Sequence, residues 1–244
     1  MRTRLVPLLA AALVTVAPLT VTAAPASAAT CTPPTIVGTE VLPGTVVLGT
    51  TKARTLDVFA GVTNGCAVTS VKVVYTIPGS TSPSYTMDPV AADQDVTTYA
   101  GGLDLHPGDW ANSEAGAWRA TVTVRWGGAP VTATASAKVL RAARLTTDAS
   151  PEPVTKGRTL TVKGKLTRAN WQTASYAGYT QQKVQLQFKP AGGRYAAVKG
   201  VTSGTGGALS TSVTATRDGC YRFVFAGTST TSKVTGTGDC VDVR

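Results

Sequence analysis

The chain has 244 residues, with 23 Lys and Arg against 13 Asp and Glu, 41 Thr, three Glu and a single His. That length fits one large domain or two of about 100 residues, and abundant Thr and Val without Glu-, Leu- and Lys-rich periodic runs exclude a helical protein. A 43% hydrophobic and 15% charged composition belongs to a folded globular chain rather than a disordered one.

Arg2 and Arg4 precede an apolar stretch, Leu5 to Val21, which is interrupted by Pro7 and Pro18 and followed by Ala26-Ser27-Ala28. A short basic start, an apolar centre and a small-x-small site predict a cleaved secretory signal peptide over residues 1–29. The competing reading, a membrane-spanning helix, needs about 20 uninterrupted apolar residues. No adjacent Arg pair marks a twin-arginine signal, so the general secretory route is expected. Lipid attachment at Cys31 is disfavoured, because Ala28 and Thr30 stand where that signal wants Leu and a small residue. It would also leave three thiols in an oxidising compartment. The last residues, Asp242-Val243-Arg244, carry no apolar tail. The expected location is extracellular, released or loosely wall-associated.

Beyond the signal, the chain repeats. Lys52-Ala53-Arg54-Thr55-Leu56-Asp57-Val58 matches Lys156-Gly157-Arg158-Thr159-Leu160-Thr161-Val162 at an offset of 104, and Gly116-Ala117-Trp118-Arg119 matches Gly219-Cys220-Tyr221-Arg222 at 103. Two matches at nearly one offset predict two equivalent modules, residues 30–141 and 142–244. The join near Arg141 to Arg144 has no Pro, Gly or Ser run and so predicts a short, stiff elbow.

In the first module, Trp118, Ala120, Val122 and Val124 alternate with Arg119, Thr121, Thr123 and Arg125, the period of a strand with one dry and one wet face. Gly79 to Pro83 reads as a turn. Asp88, Asp93 and Asp95 share a segment between strands. Calcium would suit such carboxylates, but the glycine and terminal Glu of an EF-hand are missing, and a solvated loop is the default. His106 is the only histidine, so any triad would pass through it. With Asp104, Asp109 and Glu114 it would make a metal cluster or a polar turn, and the turn is preferred. No H-E-x-x-H, G-x-S-x-G, phosphate loop or dinucleotide fingerprint occurs. The reading is therefore not an enzyme, with no cofactor and no metal. Trp110, Trp118 and Trp126 read as core or core-edge residues.

The second module alternates likewise. Val162, Gly164 and Leu166 oppose Lys163, Lys165 and Thr167; Val184, Leu186 and Phe188 oppose Lys183, Gln185, Gln187 and Lys189. A basic stripe of Lys163, Lys165, Lys183 and Lys189 across one sheet is expected. Between these strands, Arg168 to Tyr179 places Trp171, Tyr176 and Tyr179 among small polar residues. Exposed rings beside Asn and Gln suit a sugar or a partner. Alternatively, Trp171 plugs the end of the sandwich. Gly204 to Gly207 marks another turn. Modules of seven or so such strands predict an all-β chain of two tandem immunoglobulin-like β-sandwich modules after the signal peptide.

Four cysteines in a secreted chain most simply form two disulfides. Of three possible connectivities, one pair per module joins Cys31 to Cys66 and Cys220 to Cys240. Cys220 is out of phase with Tyr221 and Phe223, and Cys240 with Val241 and Val243, so both point outward on neighbouring strands.

The stretch Asp218-Gly219-Cys220-Tyr221-Arg222-Phe223-Val224-Phe225-Ala226-Gly227 resembles the end of bacterial Ig-like repeats: a Gly, an aromatic, alternating strand residues, then an aromatic-x-Gly turn. Residues 143–244 as a whole resemble a module common in secreted proteins of actinobacteria, and Gly116 to Val124 resembles the same class more weakly. The resemblance implies an extracellular spacer, adhesion or ligand-binding module without catalysis.

Charge separates the modules. Residues 30–141 hold seven basic and eight acidic residues, net −1, and residues 142–244 hold fourteen and five, net +9. Such a field attracts polyanions, here an anionic wall polymer or polysaccharide, with no specific nucleic acid and no membrane span. The expected function is non-enzymatic binding or adhesion at the cell envelope, carried by the basic stripe and the Trp171 loop. Two alternatives stand. One is a small-molecule carrier resembling the Ig-like apoproteins of secreted antibiotics, supported only by the strand pattern of Ala208 through Val213. The other is a purely structural exported protein.

Overall fold

The computed structural model describes residues 30–80 and 82–244. The expected signal peptide, residues 1–29, lies outside them. From Thr32 to Arg244 the chain forms one compact unit. Its regular elements are strands, apart from two single-turn 3₁₀ helices at Asn112–Glu114 and Thr205–Gly207.

The first half contributes β1 (Ile36–Leu42), β2 (Thr45–Leu48), β3 (Arg54–Thr63), β4 (Ser70–Thr76), β5 (Ser84–Thr86), β6 (Asp88–Ala92), β7 (Val96–Leu105), β8 (Gly116–Arg125) and β9 (Val131–Arg141). They form two sheets, in the orders β1-β3-β7-β6 and β2-β9-β8-β4-β5. One apolar face of each sheet must leave water, so the two pack face to face. The alternation in β8 is the one its sequence predicts: Trp118, Ala120, Val122 and Val124 are buried and Arg119 and Arg125 are exposed. Opposite them lie Leu56, Val58, Ala60 and Val62 of β3 and Leu103 and Leu105 of β7, in the same core.

The second half contributes β10 (Ala143–Leu145), β11 (Asp148–Ser150), β12 (Thr159–Asn170), β13 (Ser175–Gly178), β14 (Lys183–Pro190), β15 (Ala196–Thr202), β16 (Ala208–Thr214), β17 (Gly219–Phe225), β18 (Val234–Thr235) and β19 (Asp239–Val241). Long β12 is the spine of one sheet, pairing with β10, β11, β13 and β16. The other sheet runs β15-β14-β17, with β18 and β19 both on β17. Leu160, Val162, Leu166, Val184, Leu186, Phe223 and Phe225 fill this second core.

The sequence repeat is structural. Leu56 and Leu160 are both fully buried, on β3 and β12, each paired on two sides. The glycines Gly116 and Gly219 open β8 and β17, each followed two residues on by a buried aromatic, Trp118 or Tyr221. Sheet register leaves no room for a side chain at some turns. A Cβ on Gly207, whose φ is +79°, would sit 1.9 Å from the Leu166 carbonyl oxygen. That close approach lets the turn before β16 lie against β12.

Tyr75 is buried between the first pair of sheets and donates its hydroxyl to the Leu56 carbonyl at 3.4 Å. Burial, then Asp57 and Tyr85, pushes its ionisation far above the ordinary tyrosine range. Burial also raises Tyr221. Unfolded tyrosines ionise near pH 10, while these two hold their protons to higher pH in the fold. Their contribution is therefore complete below about pH 10 and is lost as pH rises beyond it. The urea midpoint should fall between about pH 8 and about pH 11, and Tyr75→Phe should make that fall shallower. An equally steep fall in the variant rules out Tyr75 as its source.

Candidate functional site

The outward face of β12 changes character along its length. Lys163, Lys165, Thr167 and Ala169 are in phase, and Trp171 continues the phase just past the strand. Lys163 and Lys165 are exposed, whereas Ala169 and Trp171 are fully buried. The burying surface is the first sandwich, whose core cluster includes both residues. The expectation of Trp171 as an exposed ligand-binding ring is therefore corrected. It plugs a sandwich end, as the alternative held, but the end belongs to the other sandwich.

The segment drawn as an open aromatic loop is a hairpin of β12 and β13. Its turn runs through Trp171 to Ala174, with Ala174 at φ +48°. Polar contacts lock it in place. The Trp171 indole Nε1 donates to the Leu48 carbonyl at 3.1 Å, and its backbone N–H to Asn112 Oδ1 at 3.1 Å. Asn112 Nδ2 donates to Asn170 Oδ1 and Gln172 Oε1, both at 2.8 Å. From the join itself, Arg141 Nε donates to the Ala169 carbonyl at 2.6 Å. Arg141 is 6% exposed. Burial first, then Arg168, pulls its guanidinium down to about 10, so it remains a cation at neutral pH.

Tyr176 and Tyr179 are half-buried, and each is capped by a guanidinium. Arg144 lies 3.6 Å from the Tyr176 ring centroid and Arg168 lies 4.0 Å from that of Tyr179. Tyr176 packs on the first core, and Tyr179 meets Phe225 edge-on at 5.8 Å. The three aromatics do not form a common open platform for a sugar.

The four candidate lysines do not form one stripe either. Lys163 and Lys165 lie on the β12 sheet, and Lys183 and Lys189 on the β14 sheet, which is the other layer of the sandwich. Outward residues of two packed sheets point to opposite sides. The two pairs therefore lie on different faces of the sandwich.

The β14 face carries residues that the sequence reading passed over. Arg222, opposite Gln187 in register, places its guanidinium 3.7 Å from the Tyr195 centroid, and Lys189 Nζ lies 5.3 Å from the same centroid. Arg222 Nε donates to Gln187 Oε1 at 2.9 Å. Alternation between inward Tyr221 and Phe223 was a usable signal for an outward Arg222. Nothing in the Gly192-Gly193-Arg194-Tyr195 run signals where Tyr195 lies.

Cations held by rings keep their charge, whereas cations held by carboxylates are neutralised locally. Among the described residues there is one ion pair, Arg244 with Asp242 at 2.9 Å. Several acidic side chains are engaged in hydrogen bonds instead. Asp93 accepts the N–H groups of Asp95 and Val96, which lower its pKa. Glu114 accepts the Ala111 N–H, and Asp104 the Thr55 hydroxyl. Among the described residues no three His, Cys, Asp or Glu gather as a metal set.

Cys220 is bonded to Cys240, its direct register partner across β17 and β19. Cys31 and Cys66 are also disulfide-bonded, so two bridges account for all four cysteines. Among the described residues no helix is long and apolar enough to cross a membrane. On the first sandwich a groove of about 480 Å³ passes over Val37, Phe59, Gly61 and Val96. It is a hollow on the outer face of β1-β3-β7, not a cleft between sheets.

No family model matches the sequence, and no curated protein matches it. Among solved structures the chain is similar to dimeric latent PorU from Porphyromonas gingivalis, at 13% identity over 87% of this chain and TM-score 0.32. It spans only 20% of that protein. It is also similar to a three-domain Ig structure of titin, at 12% identity over 88% of this chain and 66% of that one, TM-score 0.40. A third similarity is to the fibronectin(III)-like modules of Clostridium thermocellum CbhA, at 12% identity over 86% and 92%, TM-score 0.31. Likeness at this level carries no inference about ligand or activity.

Proposed function

We propose that this chain is a secreted, non-enzymatic binding protein of the cell envelope. Its second sandwich, taken as residues 142–244, engages an anionic polymer, and the first, residues 30–141, serves as the neutral partner to which it is fixed. One observation carries the reading: fourteen basic residues against five acidic in the second half, with a single ion pair among the described residues. A surface of unneutralised cations concentrates polyanions around it. A neutral glycan is the weaker reading, because the Trp171 ring that would stack on a sugar is buried. Two disulfides fit an oxidising, extracellular setting.

The test is retention of residues 30–244 on an immobilised wall-type polyol phosphate. Screening shortens from about 10 Å at 0.1 M salt to about 3 Å at 1 M, so retention should fall steeply across that range. Passage through the column without delay at low salt overturns the reading, and so does retention that is indifferent to salt.

A further inference from the structure

Within that reading, we propose that the polymer docks along the outer face of β14, between a groove beside Lys183 and the Tyr195 ring that presents Lys189 and Arg222. Lys183, Gln185, Gln187 and Lys189 form one outward row, and at about 3.4 Å per residue it is roughly 20 Å long. A cation stands at each end and two amides between. This order matches a linear polymer that alternates anionic groups with hydroxyls, and its length exceeds what one small anion would fill.

The neighbouring strands shape the row. Gly200 of β15 pairs with Gln185, and a Cβ there would meet nothing within 4 Å. Lys183, Gln185, Gly200, Thr202, Val224 and Ala226 accordingly line a groove of about 430 Å³. At the other end, Tyr195 is seated because Gly238 has no side chain: a Cβ there would sit 2.1 Å from the Tyr195 hydroxyl. The ring then holds two cations within 5.3 Å of one centroid, with no carboxylate in ion-pair range among the described residues. The Arg222 Nε is spent on Gln187. Its two Nη amines have no protein acceptor among the described residues. A guanidinium fixed in this way offers paired donors to phosphate or carboxylate oxygens, and the Lys189 ammonium supplies a second charge nearby.

The test compares two variants of residues 30–244 with equal charge loss, Lys189→Gln/Arg222→Gln and Lys163→Gln/Lys165→Gln. Binding to poly(glycerol phosphate) and to polygalacturonate is titrated, with neutral dextran as a blank. The two anionic arms separate a phosphate from a carboxylate source. Losing the Tyr195-held pair should weaken binding about tenfold or more, as loss of charge-assisted hydrogen bonds does. Losing the β12 pair should cost no more than about threefold, through the general field. Tyr195→Leu changes no charge. It should still weaken binding about threefold or more, by releasing Arg222 from its stacked position. Should Arg222→Gln disturb folding, Lys189→Gln alone against Lys163→Gln alone gives the same contrast. Equal losses from the two pairs overturn the β14 assignment while leaving the polyanion reading intact. If the parent chain binds neither anionic polymer at low salt, both fall.

Discussion

Replacing Trp171 with Ala is expected to destabilise the chain by about 3–5 kcal/mol, the usual range for removing a buried Trp. It should also split one cooperative unfolding transition into two. Trp171 is anchored by the second sandwich and buried in the first, so its burial energy exists only while both are folded and docked. Its loss leaves a cavity beside Leu48 and removes the indole donor from the Leu48 carbonyl. That carbonyl retains the Ala142 N–H at 2.9 Å, so it is not orphaned, and the cost is chiefly packing. Trp171→Phe should recover part of the stability, because it keeps a ring but lacks the donor. We further propose that residues 142–244 made alone still fold around their own core, with Ala169, Trp171 and Tyr176 newly exposed. Calorimetry on the parent and the two variants decides the coupling. A single transition in Trp171→Ala, with a loss below about 1 kcal/mol, would show that the indole does not hold the sandwiches together.

That residue also shows where sequence reading stops. Period-two alternation gives the phase of a side chain along its own strand, and it assigned Lys163, Lys165, Trp118 and Val122 to the correct faces. It is silent about what stands across from a face. Ala169 and Trp171 share a phase with Lys163, yet one end of the face meets water and the other meets the first sandwich. The only sequence hint is compositional: the outward positions turn from Lys to Ala and Trp as the strand nears its hairpin. Pairing order is equally hidden. Nothing in Lys183 to Lys189 says that β14 belongs to the layer opposite β12, so four lysines with the correct outward phase looked like a single stripe. The offset repeat fared better, because it compares strands with strands. Matching Leu56 to Leu160 and Trp118 to Tyr221 identified equivalent buried positions. Ring stacking joins residues remote in sequence, such as Tyr195 with Arg222, and no local pattern encodes it.

Removing the Cys220–Cys240 bridge should cost about 3 kcal/mol and loosen the C-terminal segment before the rest of the second sandwich. The bond closes a sequence separation of 20. Loop-closure entropy for a loop of that size gives about 3 kcal/mol. What remains on the segment is modest. β19 is three residues long and pairs only with β17. Val241 inserts into the core at 4% exposure. Three backbone bonds, Val154 N–H to Asp242 O, Arg244 N–H to Val154 O and Lys156 N–H to Arg244 O, tie the end to the segment before β12. The Ala149 N–H on β11 is held by Asp239 Oδ2 at 2.7 Å. These contacts are short-range to one another, so they should open together as a local unit once the covalent tie is gone. Cys220→Ala/Cys240→Ala leaves the Cys31 and Cys66 linkage intact and introduces no unpaired thiol. Its urea midpoint should drop accordingly. Hydrogen exchange should accelerate first at the amides of Ala149, Val154, Lys156 and Val241, while those of β12 and β14 stay protected. Uniform acceleration across both sheets would instead make the bridge a tie for the whole sandwich. A loss below about 1 kcal/mol with protection unchanged would mean that β19 is held by Val241 and its hydrogen bonds without help from the disulfide.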